Sequence, residues 1–303
     1  MSQVTANGIT IEYEAQGRRS DPPILLIMGL GAQLTLWPQA FVDTLAAEGL
    51  YVVRHDNRDC GLSSDFGGWG RANLPAAIQR MMAGGKVEAP YLLEDMAADA
   101  LGLMDTLGIA RAHIVGASMG GMIAQIIAAQ HSARCLSLTS IMSTSSRPGL
   151  PPGKPEAIQA LLSRPESDDR ETLVQYSMKL RRVISGTRFT YTDAELRDIV
   201  EHNIDRRYYP EGVGRQYLAI LASGSRADLL PIVRVPTLVI HGSEDPLLPL
   251  ACGRDVADLV PGARVEIFEG MGHDIPPALA PDMARMIARH CRAAAGSAAI
   301  AAG

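Results

Sequence analysis

The 303 residues are 47% apolar and 20% charged, so the chain is able to bury a sizeable core, and intrinsic disorder is excluded. A net charge of −5 and a pI near 5.8 argue against nucleic acid or an anionic membrane surface as a partner. Scattered cysteines, no signal-peptide pattern and no apolar run of membrane-spanning length predict a cytoplasmic protein without a disulfide framework.

Short apolar runs alternate with helix-length segments along most of the chain. The N-terminal segment predicts a β-hairpin with its turn at Asn7-Gly8, and strands are predicted at Ile24–Met28 and Tyr51–Asp56. Helices are predicted at Pro38–Gly49 and Leu93–Leu107, and later strands have the sequences AHIV, CLSLTSIM, PTLVIHG and RVEIFEG. This alternation predicts an α/β fold with a mostly parallel central sheet and helices on both faces.

The alternation stops between the strands CLSLTSIM and PTLVIHG. The linker SRPGLPPGKP is rich in proline and glycine, and the segments after it have helical spacing with no strand between them. We interpret residues 144–223 as a helical cap inserted into a core made of residues 1–143 and 224–303. The alanine-rich end of the chain, residues 293–303, is predicted to fray, and no role is assigned to it.

The stretch GASMGG lies where an apolar strand gives way to a helix rich in alanine and isoleucine. Gly116-x-Ser118-x-Gly120 at such a junction is typical of a nucleophile elbow, because only small residues fit around so tight a turn. The N-terminus of the following helix also favours negative charge beside the serine. We therefore predict that Ser118 is a nucleophile.

A serine hydroxyl needs a base, and the base needs a group that orients it. One later strand runs into Asp245 and the next runs into His273, which gives the chain order serine, acid, histidine. We predict His273 as the general base and Asp245 as the acid that fixes its tautomer. Glu244 is an adjacent rival for the acid, whereas His241 precedes the acid and does not fit the order.

Two backbone N–H groups are predicted to form an oxyanion hole. One belongs to Met119, directly after the nucleophile, and the other to Leu30, in a loop where Gly29 permits a tight turn. Thioether and aromatic side chains near these loops and in the cap would suit a pocket for a bulky apolar substrate, and ordinary core packing explains each of them equally well. The candidate pocket residues are Met28, Trp37, Met142, Tyr208, Tyr217 and Met271.

These motifs resemble those of the α/β-hydrolase superfamily of serine esterases. The segment DNRDCGLSS is similar to the family's Arg-x-x-Gly-x-Ser segment, with Arg58, Gly61 and Ser63 in the matching positions. Asp59 after the arginine, and Met28-Gly29 where many relatives have His-Gly, resemble the aclacinomycin methylesterase branch, which demethylates a polyketide ester. The resemblance implies a hydrolase of small-molecule carboxylic esters that needs no cofactor and no metal.

The chain departs from that branch by an extra segment, Phe66–Pro90, which is predicted to reshape the entrance to the site. The identity of the ester, including whether it is a lactone or a macrolide, and the oligomeric state are left open by the sequence. Two alternative functions also remain. One is a cofactor-free haloperoxidase or perhydrolase that uses the same three residues, and the other is a ligand-binding protein with weak turnover.

Overall fold

The computed structural model describes the backbone of residues 1–301 and the side chains of residues 1–295. The strands in this range are β1 (Ser2–Ala6), β2 (Ile9–Gln16), β3 (Pro23–Ile27), β4 (Tyr51–His55), β5 (Ala112–Ala117), β6 (Cys135–Ile141), β7 (Thr237–Gly242) and β8 (Arg264–Phe268). The α-helices are α1 (Gln39–Ala47), α2 (Leu74–Met82), α3 (Leu93–Thr106), α4 (Met119–Gln130), α5 (Pro155–Leu162), α6 (Arg170–Ile184), α7 (Asp193–Arg206), α8 (Pro210–Ser223), α9 (Leu250–Leu259) and α10 (Ala280–Ala301).

All eight strands form one sheet in the order β1-β2-β4-β3-β5-β6-β7-β8. Strand β2 runs antiparallel to β1 and β4, and the other neighbouring pairs are parallel. The predicted hairpin joins β1 to β2, with φ of 50° at Asn7 and 77° at Gly8, as a tight hairpin turn requires. The prediction of a mostly parallel sheet is confirmed.

Alternate residues of the central strands enter two separate hydrophobic cores. In β3, Ile24 and Leu26 pack on the side of helices α1 and α10, whereas Leu25 and Ile27 pack on the side of α3 and α4. This period of two follows from the pleat of a strand, and near-continuous apolar runs are the mark of a sheet that is covered twice. Helices on both faces are thereby confirmed.

Helices α5 to α8 occupy most of the region that the sequence predicts as a cap, and residues 144–223 are called the cap segment below. The extra segment Phe66–Pro90 contains α2, whose N-terminus is capped by Asn73. It lies against α8, where Arg71 pairs with Glu211 at 3.0 Å. The domain boundaries themselves stay a prediction.

None of the helices within residues 1–301 combines the length and apolarity needed to cross a membrane. Cys60, Cys135, Cys252 and Cys291 are buried as free thiols. Burial raises the pKa of each thiol, to about 12 for Cys135 and Cys291. The backbone of the alanine-rich end continues α10 as far as Ala301. Residues 302 and 303, on which the fraying prediction also falls, lie outside the described residues.

Candidate active site

Ser118 occupies a sharp turn between β5 and α4. Its backbone has φ of 55° and ψ of −118°, which a non-glycine residue adopts only under constraint from its surroundings. A Cβ atom added to Gly116 would lie 2.0 Å from the carbonyl oxygen of Gly120, and one added to Gly120 would lie 2.0 Å from that of Ile27. Strand and helix therefore approach so closely that both flanking positions require glycine, as the elbow motif predicts.

The structure brings Ser118, His273 and Asp245 into one hydrogen-bonded row. His273 Nε2 lies 2.9 Å from Ser118 Oγ, and His273 Nδ1 lies 2.7 Å from Asp245 Oδ2. An ionised carboxylate only accepts hydrogen bonds, so Nδ1 carries the proton and donates it to Asp245. The lone pair of Nε2 is then free to accept the hydroxyl proton of Ser118, as a general base must.

Asp245 is held in its charged form. Burial by itself would raise the pKa of Asp245, but His273 and His241, by charge and hydrogen bonding, hold it well below its ordinary value. The N–H groups of Leu247 and Leu248 also donate to Asp245 Oδ1, at 2.9 and 2.8 Å. Because the carboxylate stays ionised, it maintains the histidine tautomer that the row requires.

The rival acids point elsewhere. Glu244 accepts hydrogen bonds from the backbone N–H and hydroxyl of Thr187 in the cap segment, at 2.8 and 3.0 Å. Asp274, next to the histidine, accepts from Ser185 of the cap segment at 2.9 Å, and burial raises its pKa. Neither carboxylate has a hydrogen bond to His273 among the described residues, so the geometry favours Asp245.

The two expected oxyanion donors lie on either side of the serine. Gly29 is so close to Ser118 that an added Cβ would lie 3.1 Å from the serine Cβ and 3.6 Å from its Oγ. Within residues 1–301, the N–H groups of Leu30 and Met119 have no hydrogen-bond acceptor. Two unpaired donors beside a nucleophile are what a developing oxyanion needs, although their catalytic role stays a prediction.

The six pocket candidates do not share one environment. Trp37 and Met271 are fully buried in the core on the α1 and α10 side, and Trp37 stacks on Phe41 with ring centroids 5.1 Å apart. In this structure both pack in that core, and their part in a substrate pocket stays a prediction. A pattern of apolar residues near catalytic loops does not distinguish the inner side of a loop from its outer side.

The other pocket candidates keep some accessible surface. Met28 and Met142 are buried apart from a few per cent of their surface and follow β3 and β6 directly. Tyr208 and Tyr217 belong to the cap segment and are half-buried, and burial raises the pKa of both phenols. Their contact with a substrate remains a proposal.

The cap segment contacts the loops that carry the acid and the base. The main-chain carbonyl of Ile184 accepts the N–H of His273 at 2.7 Å, and the N–H of Arg188 donates to Gly270 at 3.2 Å. A Cβ at Gly186 would lie 2.1 Å from the carbonyl oxygen of Gly270. Residues 184–188, called the strap below, therefore run alongside the histidine loop at backbone-to-backbone distance.

The Arg58-Asp59 pair of the DNRDCGLSS segment is buried and tied to two different helices. Arg58 forms an ion pair with Asp99 of α3 at 2.6 Å. Asp59 accepts two hydrogen bonds of 2.8 Å from Arg215 of α8, and one of 2.7 Å from the hydroxyl of Tyr91. These bonds therefore fix the segment to α3 and α8, and neither Arg58 nor Asp59 has a hydrogen bond to Ser118 among the described residues.

Three supporting residues were missed in the sequence. Ser143 donates to the carbonyl oxygen of Ser118 at 2.8 Å, and His241 lies 3.4 Å from Asp245. Gln216 of α8 accepts the N–H of Gly31, next to the predicted oxyanion donor, at 2.7 Å. Ser143 and His241 lie at the ends of predicted strands, which is a usable indication, but Gln216 has no comparable signature.

Comparisons with known proteins find relatives along nearly the whole chain. The family model of the alpha/beta hydrolase fold matches residues 22–276. The chain is 30% identical to rhodomycin D methylesterase DnrP of Streptomyces peucetius and 29% identical to rhodomycin D methylesterase DauP of Streptomyces sp. strain C5. Each alignment covers 96% of this chain and 98% of the relative. The enol-lactonase from Burkholderia xenovorans LB400 is 25% identical, with a TM-score of 0.67 over 95% of this chain and 99% of that one.

Proposed function

Because the chain belongs to the alpha/beta hydrolase family and is a carboxylic ester hydrolase, we propose that it cleaves its substrate through an acyl-enzyme on Ser118. The observation that carries the proposal is the continuous row from Ser118 through His273 to Asp245, with hydrogen bonds of 2.9 and 2.7 Å. Such a row supplies a nucleophile, a base and a charge that orients the base.

In the first half of the reaction, Ser118 Oγ attacks the ester carbonyl carbon while its proton passes to His273 Nε2. The carbonyl oxygen becomes an oxyanion that accepts hydrogen bonds from the N–H groups of Leu30 and Met119. The bond to the alcohol oxygen then breaks, and His273 returns the proton to the leaving alkoxide. Asp245 stabilises the imidazolium between these two transfers.

In the second half, water attacks the acyl-enzyme. His273 accepts a proton from this water, the tetrahedral intermediate forms again, and its collapse breaks the bond between the acyl carbon and Ser118 Oγ. The carboxylic acid is released and the serine regains its proton. Apart from the ester and the water molecule that are consumed, every group in these steps belongs to the side chains or the backbone of this chain.

We further propose that the substrate is a methyl ester or lactone of a bulky polyketide-like molecule. Support comes from the two rhodomycin D methylesterases that match over nearly the full length, and from the enol-lactonase among the solved structures. A panel of polycyclic methyl esters, macrocyclic lactones and short p-nitrophenyl esters ranks these classes by kcat/KM. The same panel with peroxide and acetate measures the perhydrolase alternative.

The decisive experiment compares three variants. Ser118→Ala should lower turnover by at least about 10⁴-fold because the nucleophile is lost, and Asp245→Asn by about 10⁴-fold because the histidine tautomer is no longer fixed. Glu244→Gln is the matched control, since Glu244 bonds to Thr187 of the cap segment and not to His273, and its turnover should stay far above that of Asp245→Asn. Retention of a tenth of the wild-type activity by Ser118→Ala would refute the acyl-enzyme on this serine.

A further inference from the structure

Gln216, a side chain of the cap segment, is bonded directly to the turn that carries the predicted oxyanion donor Leu30. Gln216 on α8 accepts the N–H of Gly31 at 2.7 Å and donates its amide to the carbonyl oxygen of Arg58 at 2.7 Å. The side chain is fully buried. A buried amide whose two ends are both used has one orientation, because turning it over would place acceptor against acceptor and donor against donor.

Residues 29–32 form a tight turn, closed by a hydrogen bond of 3.2 Å from the N–H of Ala32 to the carbonyl oxygen of Gly29. Gly31 has φ of +64°, which a type II turn demands at its third residue. A trans peptide is planar, so its N–H points away from its C=O. Because the oxygen of Gly29 faces Ala32, the N–H of Leu30 in the same peptide faces away from Ala32, out of the turn.

The first residue of this turn lies against the nucleophile, as the 3.6 Å distance from a Cβ at Gly29 to Ser118 Oγ shows. The direction of the Leu30 N–H at the site therefore depends on the conformation of the turn. The central peptide of this turn joins Leu30 to Gly31, so any displacement of that peptide moves the backbone of Leu30 with it. The bond from Gly31 to Gln216 holds this central peptide, since the N–H of Gly31 belongs to it.

Helix α8 reaches the turn at a distance that few sequences permit. A Cβ at Gly31 would lie 2.7 Å from a methyl group of Val213, and one at Gly212 would lie 1.9 Å from the carbonyl oxygen of Asp59. On the other side of the turn, Asn57 donates to the carbonyl oxygen of Met28 at 2.9 Å. Helix α8 and the segment that follows β4 thus enclose the turn. Gln216 of α8 is bonded both to the turn and to that segment.

We propose that Gln216 is a positioning residue for the oxyanion hole, and that it acts through Gly31 on the orientation of the Leu30 N–H. The inference rests on the proposed function, since an oxyanion hole has meaning only if Ser118 forms a tetrahedral intermediate. It also makes the hole dependent on the cap segment: the donor is aligned when α8 is seated against the turn.

The test replaces Gln216 by methionine, which has a similar shape but neither donor nor acceptor. Gln216→Met should lower kcat about 10- to 100-fold, less than or similar to removal of a whole oxyanion donor, while KM changes little. The affinity for a trifluoromethyl ketone should fall by the same factor as kcat. This probe adds Ser118 Oγ to its carbonyl, passes the hydroxyl proton to His273 and leaves an oxyanion in the hole, whereas the product acid does not form this adduct.

The matched control is Leu218→Ala, which removes a buried side chain from the same helix two residues further on. It should lower the stability of the fold by about 2–5 kcal/mol. The kcat and the ratio of the affinity for the trifluoromethyl ketone to that for the product acid should stay unchanged. Should Gln216→Met not fold, Gln216→Asn shortens the side chain away from Gly31 and allows the same measurement on a variant that keeps its polar head.

Equal losses of affinity for the ketone and the product acid, or a kcat within about twofold of wild type, would overturn the positioning role. Failure of this proposal is distinguishable from failure of the proposed function. If Ser118→Ala is inactive and the Gln216 variants keep their kcat, only the positioning role is wrong. If Ser118→Ala stays active, the acyl-enzyme itself is wrong.

Discussion

The two sides of the cap segment hold the catalytic loops by different kinds of contact. On one side, the strap of residues 184–188 meets the histidine loop largely through main-chain groups, such as the 2.7 Å bond from His273 N–H to the carbonyl of Ile184. On the other side, called the ion-pair side here, Arg206, Arg215 and Gln216 bond to residues 29–33 and 56–63 through buried side chains.

This difference indicates on which side of the cap segment side-chain substitutions will weaken the contacts. Main-chain bonds survive most changes of side chain, so the strap depends on backbone spacing and on its glycine. Buried ion pairs depend on both partners, because a charge that loses its partner in the interior is costly. The base and acid are thus positioned by contacts that tolerate sequence change, whereas the oxyanion loop is positioned by contacts that do not.

The largest expected effect comes from breaking the ion-pair side. Arg206 is almost fully buried and bonds to Asp56 at 2.7 Å and to Gln33 at 2.6 Å. Arg206→Met leaves the buried Asp56 without its cation. Burial raises the pKa of this carboxyl even in the wild-type protein, and Arg206 opposes that rise. We expect a loss of about 3–5 kcal/mol in the free energy of unfolding, measured by urea titration.

Arg170→Met is the control for this prediction. Arg170 forms its ion pairs with Glu201 and Asp205 on the outer surface of the cap segment, where solvent screens them. The free energy of unfolding of Arg170→Met should be indistinguishable from that of the wild-type protein. Equal effects of the two substitutions would remove the distinction between the two sides of the cap segment.

An intermediate effect is expected from Gly186→Ala in the strap. The new methyl group would meet the backbone of Gly270 and Gly272, at 2.1 and 2.6 Å, and these atoms do not move aside freely. We expect a cost of about 1–3 kcal/mol from overpacking. Because the shift is transmitted to His273, kcat should also fall, by up to about 10²-fold.

Gly68→Ala is the matched control, since a Cβ there meets no atom within 4 Å. Steady-state kinetics and thermal unfolding of the two variants separate a displaced histidine from a general effect of added bulk. An unchanged kcat in Gly186→Ala would mean that the strap does not influence the base.

The effect that is smallest at neutral pH appears only in acid. Burial lowers the pKa of His55, the last residue of β4, to about 4, against an ordinary value of 6.5. The unfolded chain therefore takes up a proton that the folded chain refuses between these values. The contribution of His55 to stability is complete above about pH 6.5 and is lost at about 1.4 kcal/mol per pH unit as the pH drops towards 4.

The residue lies directly before Asp56, so acid should loosen the ion-pair side before the strap. Hydrogen exchange should rise in residues 56–63 before it rises in residues 184–188. His55→Leu should reduce the pH slope of stability by one proton, whereas His202→Gln, at an exposed position, should leave it unchanged. Identical slopes in wild type and His55→Leu would contradict the assignment.

Local sequence was sufficient where a candidate catalytic residue lies in the loop that follows a strand. Ser118, Asp245 and His273 each follow a strand of the parallel sheet, and the carboxyl ends of parallel strands share one edge, so their meeting could be anticipated. The helical cap segment was visible in the same way, as a stretch where the strand pattern stops.

What the sequence could not reveal are contacts that depend on three-dimensional docking. Gln216 is 185 residues from Gly31, and no local pattern connects them. Trp37 follows the oxyanion loop in the sequence, yet its ring enters the core beside Phe41, because the chain turns inward there before α1 begins. Position along the chain locates a loop, but the direction of a side chain follows from the packing of its neighbours.

The four buried thiols allow the order of opening of this enzyme to be timed. A maleimide added to the native protein reaches a buried cysteine only when the surrounding segment opens. Cys60 lies between Asp59 and Gly61 on the ion-pair side, whereas Cys252 lies in α9, just after the loop that carries the acid. The order in which the two alkylated peptides accumulate therefore records which of these two regions opens first.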